Sequence, residues 1–285
     1  MVLGGHDPER LALNHEWLWR GENRNRDTER KAHLLPEVRA LLLAGDYGQG
    51  TLAGDEAFGS YGGMRRGNRV DPYQPAGDFC FRLEHGEVHD YYRELDLERA
   101  LVTITYQADG VHYRREYLAH MSQDLLLVHI TADAPLDGTF WLSRAQDPRC
   151  FLLHETGEDL LAMNGQFEMG ISFRVEARFY VEGGYTVVEG NRLVVHEADE
   201  VLVAINIGTS AKGDAPVQEM RWMGLPHTNW EELLADHREA YEALYHGLTL
   251  KVDVPEPGLP TDERLQAARQ KTDSQSRDPG LAALY

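Results

Sequence analysis

The chain has 285 residues, 42% of them hydrophobic, and a formal net charge of −19. That length suits one large β domain or two smaller ones. The acidity excludes nucleic acid and anionic membrane surfaces as natural partners, and no apolar run reaches the roughly 18 residues of a membrane helix.

In chain order, Met1–Gly5 is an apolar opening, His6-Asp7-Pro8-Glu9 supplies turn residues, and Arg10–Asn14 alternates as a strand does. Met1 therefore reads as starting inside a hairpin, with a first strand expected upstream. Residues 22–33 are polar and read as a loop. Leu34, Val38, Leu41 and Leu42 share one helical face, so a helix is expected from Leu34 to Tyr47, stopped by Gly45. The glycine-rich stretch 48–78 reads as a long functional or packed loop.

From Asp78 the period becomes that of β structure. Val102, Ile104 and Tyr106 alternate, Ala108-Asp109-Gly110 turns the chain, and Val111 to Tyr117 returns as a hairpin. Strands follow at Leu125–Ile130, Thr139–Ser143, Ile171–Phe179, Tyr185–Val188, Arg192–Val195 and Glu200–Ile207, with turns at Gly183-Gly184 and Glu189-Gly190-Asn191. Short strands near ten-residue spacing argue a β-sandwich. Thr228 and Glu231 form a capping box before an apolar face that runs from Trp230 to Leu244. A short Leu248–Val252 strand follows, then Pro255, Pro257 and Pro260, then a helix start at Thr261–Leu265. Asp278-Pro279-Gly280-Leu281-Ala282-Ala283-Leu284-Tyr285 opens one more helix and stops, as a cut domain would. The expected organisation is a mainly β fold: an antiparallel β-supersandwich over 1–221, a helical linker over 222–277, and the start of a truncated barrel at 278–285.

Few residues point to chemistry. Asn14, Glu16, Trp17 and Trp19 cluster just after a strand. Aromatic faces stack on the C–H faces of a sugar while amides and carboxylates take its hydroxyls, so these four are the candidate substrate-binding residues; either Trp alone reads more readily as core. The thirteen histidines are scattered; His85 and His89 stand four apart, but Gly86 and the surrounding strand pattern argue against a helix there, and no H-E-x-x-H occurs, so no metal is expected. Gly59–Gly67 lacks any phosphate-loop form, and no cofactor is implied. The two cysteines, Cys80 and Cys150, read as buried thiols. The abundant carboxylates single out no acid/base pair.

Several segments, in order, resemble the N-terminal domain of glycoside hydrolase family 95, the α-L-fucosidases. Leu13–Gly21 is similar to that family's L-N-E-x-T-L-W-S-G element, with Trp17 in place of Thr and Arg20 in place of Ser. Tyr73–Asp78 resembles its Y-Q-P-L-G-D turn, and Tyr92–Leu97 its Y-R-R-E-L-D-L run. Glu37–Tyr47, Tyr113–Tyr117, Thr261–Leu265 and Asp278–Tyr285 fit as well. The resemblance implies a supersandwich and linker ahead of an (α/α)6 barrel in cis, and an inverting hydrolase of terminal α-L-fucosyl linkages with a fucosylated glycan as substrate. Its catalytic residues would all lie in the barrel, so this chain has none and is expected to be inactive alone. The compartment stays open. A stand-alone carbohydrate-binding module and a purely structural sandwich are the alternatives. The related sugar phosphorylases, also a β domain followed by a barrel, are a further candidate for the parent enzyme, although the motifs favour the fucosidase type.

Overall fold

The structure, a computed structural model, describes residues 1–5, 7–21, 31–58, 72–168, 170–212, 225, 227–248 and 258–270. Internal packing divides the chain into two compact units, Met1–Ala240 and Tyr241–Tyr285. The alternating segments of the first unit form an antiparallel sheet of β1 (Glu9–Leu13), β2 (Gly77–Leu83), β3 (His89–Asp96), β4 (Leu101–Ala108), β5 (Val111–His120), β6 (Leu125–Ser143), β7 (Cys150–Gly157), β8 (Leu160–Phe167), β9 (Ser172–Glu189) and β10 (Arg192–Thr209). The order is β3-β4-β5-β6-β10-β9-β8-β7, with β2 beside β6 and β1 beside β2. The fold is mainly β, a sandwich followed by helices, as the alternation implied.

The two layers are made from one folded sheet. Its first half of β6 pairs with β5 and its second half with β2. Pairing with β10 is interrupted between Thr131 and Leu136, around Pro135, which has no N–H to give to a ladder. Across the fold Ile104, Val128 and Ile130 meet Phe79, Phe81, Phe140 and Phe179 in one buried core. The last four rings pack with centroids 5.2 to 6.3 Å apart. Two segment pairs expected as separate strands, Leu125–Ile130 with Thr139–Ser143 and Ile171–Phe179 with Tyr185–Val188, are each one long bent strand. Gly183-Gly184 is accordingly an irregularity inside β9 and not a turn. A side chain on Gly184 would start 2.0 Å from the His196 carbonyl oxygen, so the bend needs glycine. The β4–β5 hairpin is as expected: Ala108 pairs with Val111, and Asp109 (φ 53°) and Gly110 (φ 80°) both occupy the left-handed region of a two-residue turn.

The first helix, α1 (Leu35–Leu43), closes on Gly45 at φ 82°. Asp46 N donates to Leu41 O and Gly45 N to Leu42 O, the paired bonds of a Schellman stop. A second helix, α2 (Tyr47–Phe58), lies where the glycines suggested a loop. Gly50 explains it: a Cβ there would stand 2.6 Å from the Leu42 side chain, so glycine lets the two helices touch. A later helix, α3 (Trp230–Tyr245), is capped one residue beyond the expected position. Asn229 Oδ1, not Thr228, accepts Glu232 N at 3.1 Å. Trp230, Leu233, Leu234 and His237 cover Leu101, Leu118, Leu125, Leu127, Leu202 and Ala204 on the outer sheet face. In the second unit, α4 (Thr261–Gln270) begins as expected, with Asp262 and Glu263 in its first turn. The Leu248–Val252 strand, apart from Leu248, and the Asp278–Tyr285 helix start lie outside the described residues. Cys80 is buried and Cys150 half-buried, both as free thiols. No described helix is long and apolar enough to cross a membrane.

A charged contact ties the opening segment to the core. Glu9 takes an inward position of β1 and is fully buried. Its Oε1 accepts Gly4 N (2.9 Å), Gly5 N (3.3 Å) and Arg10 N (2.8 Å). Its Oε2 accepts the Tyr117 hydroxyl at 3.0 Å and faces Arg115 Nη1 at 3.5 Å. Arg115, equally buried, donates to Gly5 O at 3.0 Å and lies over the Tyr106 and Phe81 rings. Burial pushes the Tyr106 hydroxyl up to about 12, and that of Tyr117 well above its ordinary range, so both stay neutral donors.

Two stability outcomes follow. Glu9→Ala leaves the Arg115 charge buried without its carboxylate and lowers unfolding free energy by about 3–5 kcal/mol, read from urea denaturation. Asn229→Ala costs about 1 kcal/mol, and Thr228→Ala clearly less; equal losses would place the cap at the wrong residue.

Candidate functional site

The segment after β1 turns sharply. Leu18 N donates to His15 O, and Leu18 is the residue that enters the core. Its neighbours therefore point outward. Trp17 is 40% exposed and Trp19 42%, so neither fills the sandwich. The stretch Pro72–Ala76 comes alongside: Trp19 bridges Tyr73, Arg20 N donates to Pro72 O, Gln74 N to Leu18 O and Ala76 N to Leu13 O. This pairing brings a third exposed ring, Tyr73 at 41%, against Trp19 with centroids 5.2 Å apart and planes at 69°. The two rings make a corner instead of a flat platform. Such a corner offers one ring face for stacking and one ring edge beside it.

The polar groups of the corner are held in place. Trp17 Nε1 donates to the Glu16 carboxylate, Trp19 Nε1 to Glu16 O (2.9 Å), and the Tyr73 hydroxyl to His15 O (3.0 Å). The structure thus brings Glu16, Trp17 and Trp19 together. Asn14 is exposed, just before them in the chain. Tyr73 opens the Tyr73–Asp78 turn motif, but nothing in the sequence links it to the ring cluster, because its partner Trp19 is distant along the chain.

Beneath the corner lies a cationic brace that sequence reasoning did not single out. Arg20 pairs with Asp147 and lies over the Phe167 ring. Arg144 lies over the same ring and over Phe173, and donates to Pro75 O at 3.1 Å. Gln74 Oε1 accepts from Arg144 Nη2 at 3.2 Å and from Arg20 Nη2 at 3.4 Å. The Arg149 backbone N–H and then the Arg20 guanidinium hold the Asp147 carboxyl below its ordinary range. The brace pins the turn that carries Tyr73.

Two concavities lie elsewhere. One of about 450 Å³ is lined by Asp7, Arg82, His85 and Glu87, among others, and one of about 210 Å³ by Tyr180, Glu200 and Thr228, among others. Among the described residues, no three His, Cys, Asp or Glu side chains gather as a metal would need.

A family profile described as "Glycosyl hydrolase family 65, N-terminal domain" matches residues 1–214. The chain is 23% identical over 329 aligned positions to "Alpha-L-fucosidase 2" of Arabidopsis thaliana, covering 99% of this chain and 37% of that protein. It therefore spans little more than a third of that relative's length. Among solved structures, a human-microbiome protein described as a kojibiose phosphorylase aligns with TM-score 0.45 and 12% identity, over 59% of this chain and 29% of that one. The profile match overturns the expected family 95 assignment, and with it the α-L-fucosidase reading and the fucosylated-glycan partner.

Apart from Leu13–Gly21, the described motifs behind that expectation hold turns and core positions. Tyr92–Asp96 belongs to β3, and Asp96 Oδ1 accepts Glu98 N and Arg99 N at the turn into β4. Tyr113, Arg115 and Tyr117 of β5 are buried. Gln74 and Pro75 contact Arg144. Turns and core positions of this kind specify a sandwich and carry no information about which sugar a parent enzyme takes.

The Asp147 pairing sets a pH dependence. Its folded-state pKa is depressed, so its stabilisation is present above the ordinary value of 3.8 and is lost as pH falls through the lower folded value. Asp147→Asn therefore lowers stability at neutral pH, and the gap to wild type narrows below pH 3.8 in urea titrations taken across that range.

Proposed function

From a chain that belongs to the glycosyl hydrolase family 65 N-terminal domain family, we infer a non-catalytic accessory module that holds carbohydrate at the corner made by Trp17, Trp19 and Tyr73. The observation that carries this reading is the joint exposure of three rings whose positions are fixed by backbone pairing and by the Arg20–Asp147–Arg144 brace. Exposed aromatics normally cost solubility, and a rigid set of them beside a carboxylate suits a pyranose ring. The C–H face of the sugar would stack on Trp19, with Tyr73 against its edge. Asn14 and Glu16 would take hydroxyl contacts from the same side. The role is contact, with the bond-breaking chemistry assigned to other parts of a parent enzyme. In this reading the sandwich over 1–221 hands over to a helical connector at 222–277, which leads toward a barrel from 278 onward.

A purely structural role is the second reading. It is favoured by the exposed apolar residues of the α1–α2 pair, Leu35, Leu42, Leu43, Leu52 and Phe58. Such a surface suits burial against a further domain.

Tryptophan fluorescence separates the two. Under the carbohydrate reading, titration with a panel of neutral disaccharides changes emission with a dissociation constant of about 1 mM, near −4 kcal/mol. Trp19→Ala weakens that binding by about tenfold, the scale of one lost aromatic contact. A flat response to every sugar in the panel leaves the structural role standing alone.

A further inference from the structure

We propose that His120 and His237 make the docking of α3 an acid-released latch, in which proton uptake frees the helix from the outer sheet face. His237 is the innermost polar residue of that contact and only 1% exposed. Its Nδ1 accepts Met121 N at 3.2 Å, and its Nε2 faces Arg99 O at 3.1 Å. A backbone N–H can only donate and a carbonyl can only accept. Both bonds therefore require the neutral ring with its proton on Nε2. A second proton on Nδ1 would point at the Met121 N–H, break that bond and leave a buried charge.

His120 repeats the arrangement from β5. It is 4% exposed, and its Nδ1 accepts Ser122 N at 3.3 Å. That assignment also puts the proton on Nε2, which is buried without a partner in hydrogen-bonding geometry. The two rings meet edge to face with centroids 5.8 Å apart, so a charge on either opposes a charge on the other. Protonation of this pair is thus incompatible with the docked helix at two points: the Met121 bond accepted at His237 Nδ1, which joins α3 to the sheet, and the buried enclosure that the two rings share.

The surrounding charges leave that balance in place. Burial lowers the His120 value, against the Leu233 backbone contact and Asp236, and with help from His227. Burial likewise lowers that of His237, against the Arg99 carbonyl and with help from His120. Asp236 is itself engaged by His227 at 3.1 Å, and His227 also faces Glu232 at 3.5 Å. At the other end of the contact, His129 of β6 stacks on Trp230 with centroids 4.6 Å apart. It stands between Glu116 of β5 (3.2 Å) and Glu200 of β10 (2.9 Å).

The sign follows from the lowered values. The folded state prefers both rings neutral, so their contribution to docking is complete above the ordinary value of 6.5 and declines as pH falls below it. Released α3 would uncover Leu101, Leu118, Leu127 and Leu202.

Hydrogen exchange of the peptide spanning residues 230–240, measured on the full chain from pH 7.5 to 5.0 and corrected for intrinsic rates, tests this. Opening of α3 is expected to rise by about tenfold per pH unit for each proton taken up, while β10 stays protected. The paired substitution His120→Asn with His237→Gln keeps polar atoms without titration and is expected to flatten the dependence. A flat wild-type profile overturns the latch, as does a rise shared equally by β10. Because the double variant could fail to fold, an NMR titration of the wild-type histidines stands independently: either ring charging at or above 6.5 with α3 still protected overturns it as well.

Discussion

A buried charge pair in a β-sandwich is an unusual place to anchor a fold. Ion pairs out of water return little net stability, yet losing one partner is costly. Glu9 and Arg115 use that asymmetry. The carboxylate gathers three backbone N–H groups and a tyrosine hydroxyl, and the guanidinium caps a carbonyl and covers two aromatic rings. A one-residue slip of β1 on β2 would turn Glu9 away from Arg115 together with Leu11 and Leu13 away from the core. The pair therefore fixes where β1 ends, and so where the chain turns toward Leu18 and the exposed rings.

The candidate carbohydrate corner inherits its rigidity from both sides of that turn. On one side stands the pinned strand, and on the other the Pro72–Ala76 stretch held by Arg144 and Gln74. Rings on a free loop would lose side-chain and backbone freedom on meeting a ligand, and weak sugar contacts can hardly offset that cost. Here most of it is met during folding. The outer sheet face shows the opposite design. There α3 covers an apolar patch through contacts that include two buried neutral imidazoles, a covering that depends on conditions in a way the aromatic core does not.

Much of the sandwich could be read from alternation, because strands half-facing a core must alternate. The β4–β5 hairpin was legible to the residue, since Asp109-Gly110 has the backbone freedom its turn demands. Long strands were read as fragments, since a bend such as that at Pro135 or Gly183-Gly184 looks like a turn when pairing is unknown. The β7–β8 hairpin carries no clean alternation. Phe151 and Leu153 point to solvent while Cys150 and Leu152 pack inward, so both faces are apolar and the period is blurred. Helix α2 was hidden by glycines that serve helix contact. At the site, Glu16, Trp17 and Trp19 were legible as a local cluster, whereas Tyr73, Gln74, Arg144 and Asp147 join it only through tertiary pairing. The short motifs that suggested a fucosidase were legible too, but apart from Leu13–Gly21 they encode turns and core residues, which relatives with different substrates can share.

The bond from Arg20 N to Pro72 O, with Trp19 bridging Tyr73, has a consequence for how this scaffold can vary. The chain leaves the sandwich after Gly21 and re-enters at Pro72 through two points already clamped side by side. Whatever lies between, α1 and α2 included, is hung from a closed doorway. The entropy of closing such an excursion grows only with the logarithm of its length. Residues 22–71 are thus a natural site for transplantation: segments of other lengths and sequences could be exchanged there while the doorway, and the rings that frame it, keep their geometry.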